Sequence, residues 1–253
     1  MNHFVALYLK ELRAQRMVVG ILLVGTLGLS IYALTGIGPS PSPRLALIVL
    51  PYVSALGLPF LLIHSISTEW TGHTHYQILA LPVPRWVVLL AKVALVLSLG
   101  LAICLISTVF LQIIADRMTG VIVASDVGGH RAAAEPYIGD GTLWAMASIA
   151  YGMFLLPLLG IACAASGVRV MAQRFKGLST LAVFVAGGYL YAQLKSPIVM
   201  ALQKVFGRWQ LDMAIHGGAP HMSDAHLYLI YSALFAALGI GLGALLFEKY
   251  VEA

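Results

Sequence analysis

The chain has 253 residues, of which 60% are hydrophobic and 10% charged, with a mean hydropathy of +0.92 and a formal net charge of +5. Those values exclude an ordinary soluble domain, and they leave no polar stretch long enough for a separate soluble core, so residues 1–253 read as a single transmembrane domain. The Lys and Arg residues flank apolar runs instead of forming a solvated stripe, a pattern that points to membrane lipids and excludes nucleic acid as a partner.

Residues 2–16 come first. Phe4, Leu7, Tyr8 and Leu12 recur at helical spacing, with Lys10, Arg13 and Arg16 largely opposite, which predicts a helix lying in the interface plane. The run that follows is longer than the core of a signal peptide and lacks a small-x-small cleavage site, so it reads as a retained span.

A helix needs about 20 apolar residues to cross about 30 Å of hydrocarbon. On that criterion six spans are predicted, at approximately 17–37, 45–66, 86–114, 143–167, 178–194 and 227–247. Lys92 is the charge inside them. Its run is long enough for Lys92 to sit near one end and reach the interface. Pro51 and Pro59 in the second span and Pro157 in the fourth predict packing kinks or a hinge. Gly239 and Gly243 in the last span form a GxxxG contact face. Cys104 and Cys163 fall within apolar runs and read as small buried hydrophobes.

An even number of spans puts both termini on one side. Lys10, Arg13, Arg16, Arg85, Lys92, Arg169, Arg174, Lys176 and Lys249 lie on that face, against Arg44, Arg117, Arg131, Lys195, Lys204 and Arg208 on the other. The bias makes both termini cytoplasmic in a multi-pass protein of the cell (inner) membrane. The loop 115–142 then lies outside and is predicted irregular, with at best a short helix near 131–135. The stretch 196–211 is too short to span and reads as an external re-entrant or interfacial helix before the last span. The fold class is thus an all-α polytopic membrane protein with six transmembrane helices.

Between spans 2 and 3 lies "STEWTGHTHYQILALPVPRWVVLLAK". Thr71 can cap a helix over Gly72 to Ala80 that Pro82 terminates, giving a short cytoplasmic rod over 71–81 held between two long spans. Glu69 reads either as a solvated residue or as an ion-pair partner of Arg85, Lys92 or a basic group of the N-terminal helix. His64, Glu69, His73 and His75 raise the possibility of zinc. His73 and His75 stand about 200° apart on a helix, however, and no HExxH is present, so neither a metal site nor a catalytic residue is assigned. Arg169, Arg174 and Lys176 form a second cytoplasmic loop, suited to lipid headgroups or to a further partner contact. No GxxxxGK[ST] phosphate loop occurs.

Glu69, Thr74, Leu79, Leu81, Pro82, Val83, Arg85 and Lys92 resemble the segment between the second and third spans of ABC-2 type transporter permeases. "LYLKELRAQR", with Lys10, Glu11 and Leu12, resembles that family's N-terminal interfacial helix. The chain departs from the family at Trp70-Thr71-Gly72-His73, where a charged residue and Gly-Thr are more usual. The resemblance implies the membrane-spanning subunit of an exporter that pairs as a dimer with itself or a related chain. A separate ABC ATPase subunit would then supply ATP and Mg, with no cofactor bound by this chain and no enzymatic activity of its own. It also implies a coupling helix carrying Glu69, Thr71, His73, Thr74, Tyr76, Leu79, Leu81 and Arg85. The alternative is a six-span scaffold or assembly factor without transport.

Overall fold

A computed structural model describes residues 3–35, 42–71, 84–125, 140–172, 175–207, 210–211, 222–223 and 225–250. It is built of α1 (His3–Ala14), α2 (Arg16–Thr35), α3 (Ser42–Thr71), α4 (Arg85–Ser125), α5 (Asp140–Met171), α6 (Lys176–Phe206) and α7 (Ala225–Tyr250). Between α6 and α7 a two-residue antiparallel pair, β1 (Gln210–Leu211) and β2 (Met222–Ser223), sets Gln210 opposite Ser223 and Leu211 opposite Met222. Among the described residues six helices, α2 to α7, are long and apolar enough to cross a membrane, as the sequence predicts. The protein is accordingly a multi-pass membrane protein.

Helix α4 is central. It packs on α1, α2, α3, α5 and α7, and the main core gathers Leu58 and Leu62 from α3, Val96 and Ile103 from α4, and Leu155, Leu159 and Cys163 from α5, all nearly inaccessible. Cys104 and Cys163 are buried free thiols, in keeping with their reading as core residues.

The closest pairing joins α5 to α7, and glycine makes it possible. A Cβ on Gly160 would lie 2.7 Å from the Cα of Ala236, and one on Gly243 would lie 2.6 Å from the carbonyl oxygen of Cys163. Gly239 faces Gly160 in the same way. The predicted GxxxG face is therefore spent within the chain, on α5, and this near approach of backbones replaces the hydrophobic drive that lipid cannot supply between helices.

Toward the other end of α7, against α6, Tyr231 donates from its hydroxyl to the Tyr191 carbonyl at 2.6 Å, the Tyr191 and Ser232 hydroxyls are 2.8 Å apart, and the two tyrosine rings stack at 5.0 Å. Tyr231→Phe removes one donor at a buried position. It is expected to cost about 1 kcal/mol, read as a small drop in the thermal midpoint of the detergent-solubilised protein with no change in its helical content.

Three boundaries differ from expectation. The stretch 196–211 is not a separate helix: α6 continues without interruption to Phe206, and Gln210–Leu211 are strand. Pro197 is tolerated inside α6 because the carbonyl it leaves unbonded, on Gln193, belongs to an exposed stretch of helix. At 31 residues α6 is about 46 Å long, more than the hydrocarbon requires, so length alone did not reveal where it stops. It stops at Gly207, whose φ of 75° places it in the left-handed region and whose N–H donates to the Gln203 carbonyl at 3.0 Å. The loop predicted over 115–142 is helical as far as Ser125 and again from Asp140, and the short helix near 131–135 lies outside the described residues. Helix α3 runs on past 66 to Thr71, so Thr71 closes the second span.

Candidate functional site

The sequence suggested that Lys92 would reach out to the interface. Instead it is buried, and α1 is what buries it. Lys92 stands seven residues into α4, about 10 Å from the helix start, and its side chain is only 4% exposed. Its Nζ donates to Glu11 Oε2 at 2.8 Å and to Ser65 Oγ at 2.8 Å, and Ser65 Oγ in turn donates to Glu11 Oε2 at 3.3 Å. One residue from each of α1, α3 and α4 thus closes a triangle. An ammonium with no partner at such a place would be strongly unfavourable, and the carboxylate together with the hydroxyl offsets its lost hydration.

Apolar contact and a second hydrogen bond fix α1 around this pair. Leu7, one turn before Glu11, is buried against Val88 and Ala91 of α4, and the Tyr8 hydroxyl meets Ser98 Oγ at 2.8 Å. The buried face of α1 is therefore Leu7 and Glu11, with Phe4 exposed, so the stripe of Phe4, Leu7, Tyr8 and Leu12 is only partly the packed one. Lys10, Arg13 and Arg16 are exposed, as their position opposite the apolar stripe suggested.

The other singled-out residues fall into two groups. Glu69 and Thr71 lie in the last turn of α3, and Arg85 is the first residue of α4. Arg169 is partly buried in the last turn of α5, and exposed Lys176 opens α6. His73, Thr74, Tyr76, Leu79, Leu81 and Arg174 lie outside the described residues. His64 is exposed on α3, one turn before Thr68.

Sequence reasoning placed Glu11 only through a family resemblance and missed Ser65 altogether. A partial signal was present: a lone Lys in a run as apolar as 86–113 needs a partner or an escape to the interface, and beside Glu69, the partner the sequence suggested, Glu11 stands four residues after Leu7 on α1.

Beginning at this triangle, a groove of about 840 Å³ runs between α2 and α3. Glu11, Gln15, His64, Ser65 and Thr68 line its α1 end, and Val18, Ile21, Gly25, Val53, Gly57 and Phe60 are among the residues that continue it.

The fold and the site together define a six-span helical membrane protein whose N-terminal helix is locked to its second and third spans by a buried ion pair. Compared with family models, with curated proteins and with solved structures, the chain matches none.

Proposed function

We propose that this chain is the transmembrane permease subunit of an ATP-binding cassette exporter, working as a dimer with a separate ATPase subunit docked on the segment between α3 and α4. The observation that carries the reading is the Glu11–Ser65–Lys92 triangle. Helices α3 and α4 bracket residues 72–84, the stretch whose motif resembles the coupling helix of ABC-2 permeases, and the triangle ties both of them to α1. A displacement applied to that stretch would reach α1, α3 and α4 as one body, because packed helices joined by a buried charge pair shift together more readily than they shear.

In this reading Thr71, His73, Thr74, Tyr76, Leu79 and Leu81 face the ATPase, and Glu69 and Arg85 stand at the two ends of the lever. The termini and the 71–81 segment are cytoplasmic, in line with the Lys and Arg bias. ATP and Mg belong to the partner. Export rather than import follows the resemblance.

The test is copurification of the full-length chain with its ATPase from native membranes, followed by hydrolysis measured in vesicles. An ATPase is expected to copurify, and Leu79→Asp is expected to abolish transport-dependent stimulation while leaving the amount of inserted protein unchanged. A chain that recovers no ATPase, or a Leu79→Asp variant with full stimulation, would overturn the proposal, and the first result would favour a scaffold.

A further inference from the structure

The groove between α2 and α3 is neither a packing defect nor part of the core. Along α2 it runs from Val18 to Leu29, about 16 Å, and its walls include the exposed side chains of Val18, Ile21, Val53 and Phe60. Gly25 and Gly57 lie on opposite walls, and a Cβ on either would meet nothing within 4 Å. Glycines at helix contacts in this protein, such as Gly160 and Gly239, are pressed against backbone. These two face open space. In a bilayer, an apolar trough of this length with exposed walls is lined by surface that prefers hydrocarbon to water, and vacant space along it forfeits dispersion contacts.

Further along the groove the polar side chains, Thr26 and Ser54, bond to carbonyls of their own helices. At the α1 end Gln15 Oε1 is buried without a hydrogen-bond partner and therefore lacks a donor. The Glu11 carboxylate lines the same end. Arg13 and Arg16, on either side of Gln15 in the chain, are exposed. With Glu11 already held by Lys92, the unmet acceptor of Gln15 and the exposed Arg13 and Arg16 complement a head that carries an N–H donor and a phosphate. A zwitterionic headgroup with a primary amine has both.

We propose that this groove is a binding site for a bilayer phospholipid with a primary-amine head, of the phosphatidylethanolamine class, one acyl chain lying along α2 and α3 and the ammonium directed at Gln15 Oε1. The site requires neither export nor an ATPase, so its test stands apart from that of the proposed function.

The full-length protein is reconstituted in nanodiscs containing phosphatidylethanolamine with a photoactivatable diazirine on its acyl chain, and adducts are mapped by peptide mass spectrometry. Adducts are expected to concentrate severalfold on α2 and α3 peptides containing Val18, Ile21, Val53 and Phe60, relative to the equally exposed α6 face of Leu178, Leu181 and Val185. Gly25→Leu combined with Gly57→Leu fills the trough and should remove the excess without lowering the thermal midpoint. On the wild-type chain, which needs no folding control, the same probe with a phosphatidylcholine head, which has no N–H donor, should label the groove severalfold less. Adducts spread evenly over α2, α3 and α6 would mean boundary lipid only and would overturn the site. Equal labelling by the two heads would overturn it as a site for an amine-headed lipid. A groove without adducts, in a protein whose dimer dissociates on Gly25→Leu, would assign the surface to a second copy of the chain instead.

Discussion

Gly239→Ala is expected to destabilise the protein by about 1–3 kcal/mol, the usual range for overpacking, whereas Gly241→Ala should change little or stabilise slightly. The two glycines are two residues apart on one helix, so composition, hydropathy and helix propensity change identically. Their surroundings differ. A Cβ on Gly239 would lie 2.7 Å from the Cα of Gly160, against backbone that no rotamer change can move, while one on Gly241 meets nothing within 4 Å. Relief at Gly239 therefore requires α5 and α7 to separate, and separation weakens every contact along the closest helix pair in the molecule. At Gly241, loss of the glycine's backbone entropy favours alanine by up to about 1 kcal/mol. Thermal unfolding of the two variants in the same detergent is the measurement. Equal midpoints would show that the α5–α7 backbone contact is not what holds the bundle.

The number and order of spans were legible because the bilayer imposes a length: an apolar run near 20 residues is a physical requirement, and nothing in the tertiary structure overrides it. Helix ends were less so. Helix α4 continues to Ser125 and α6 to Phe206, both beyond what the hydrocarbon demands, since a helix already nucleated extends into its flanks until a residue such as Gly207 ends it. The GxxxG face of α7 was legible as a contact surface, yet its partner was not: the motif states that something approaches closely and gives no clue that the helix is α5. The site was the least readable. Glu11 and Lys92 are 81 positions apart. Lys92 alone signals only that a partner or an escape to the interface must exist, and its long apolar stem makes either outcome physically sound. Burial by α1 decided between them, and that is a fact of packing. Ser65 carries no signal at all, because a serine in an apolar helix ordinarily bonds its own backbone.

Removing one member of the buried pair should have the larger effect. Glu11→Leu leaves an ammonium 4% exposed facing a leucine, and Lys92→Met leaves a carboxylate in the same position; each is expected to cost about 3–5 kcal/mol, the measured scale for orphaning a buried charge. Against a total stability of roughly 5–15 kcal/mol for a folded domain, either loss would leave little margin. The double variant Glu11→Leu with Lys92→Met removes both charges and fills the volume with apolar groups, so it should regain most of the loss, and the singles should be far from additive. Arg13→Ala is the control, since Arg13 is exposed on the same helix and should shift the midpoint little. The cycle also separates two accounts of α1. If the ion pair is what seats the helix, both singles should expose α1 to protease before the rest of the protein unfolds, and the double should protect it again. If Leu7 between Val88 and Ala91 suffices to seat it, the singles lower the thermal midpoint without early cleavage, and the triangle no longer explains how a push on residues 72–84 would reach the N-terminal helix.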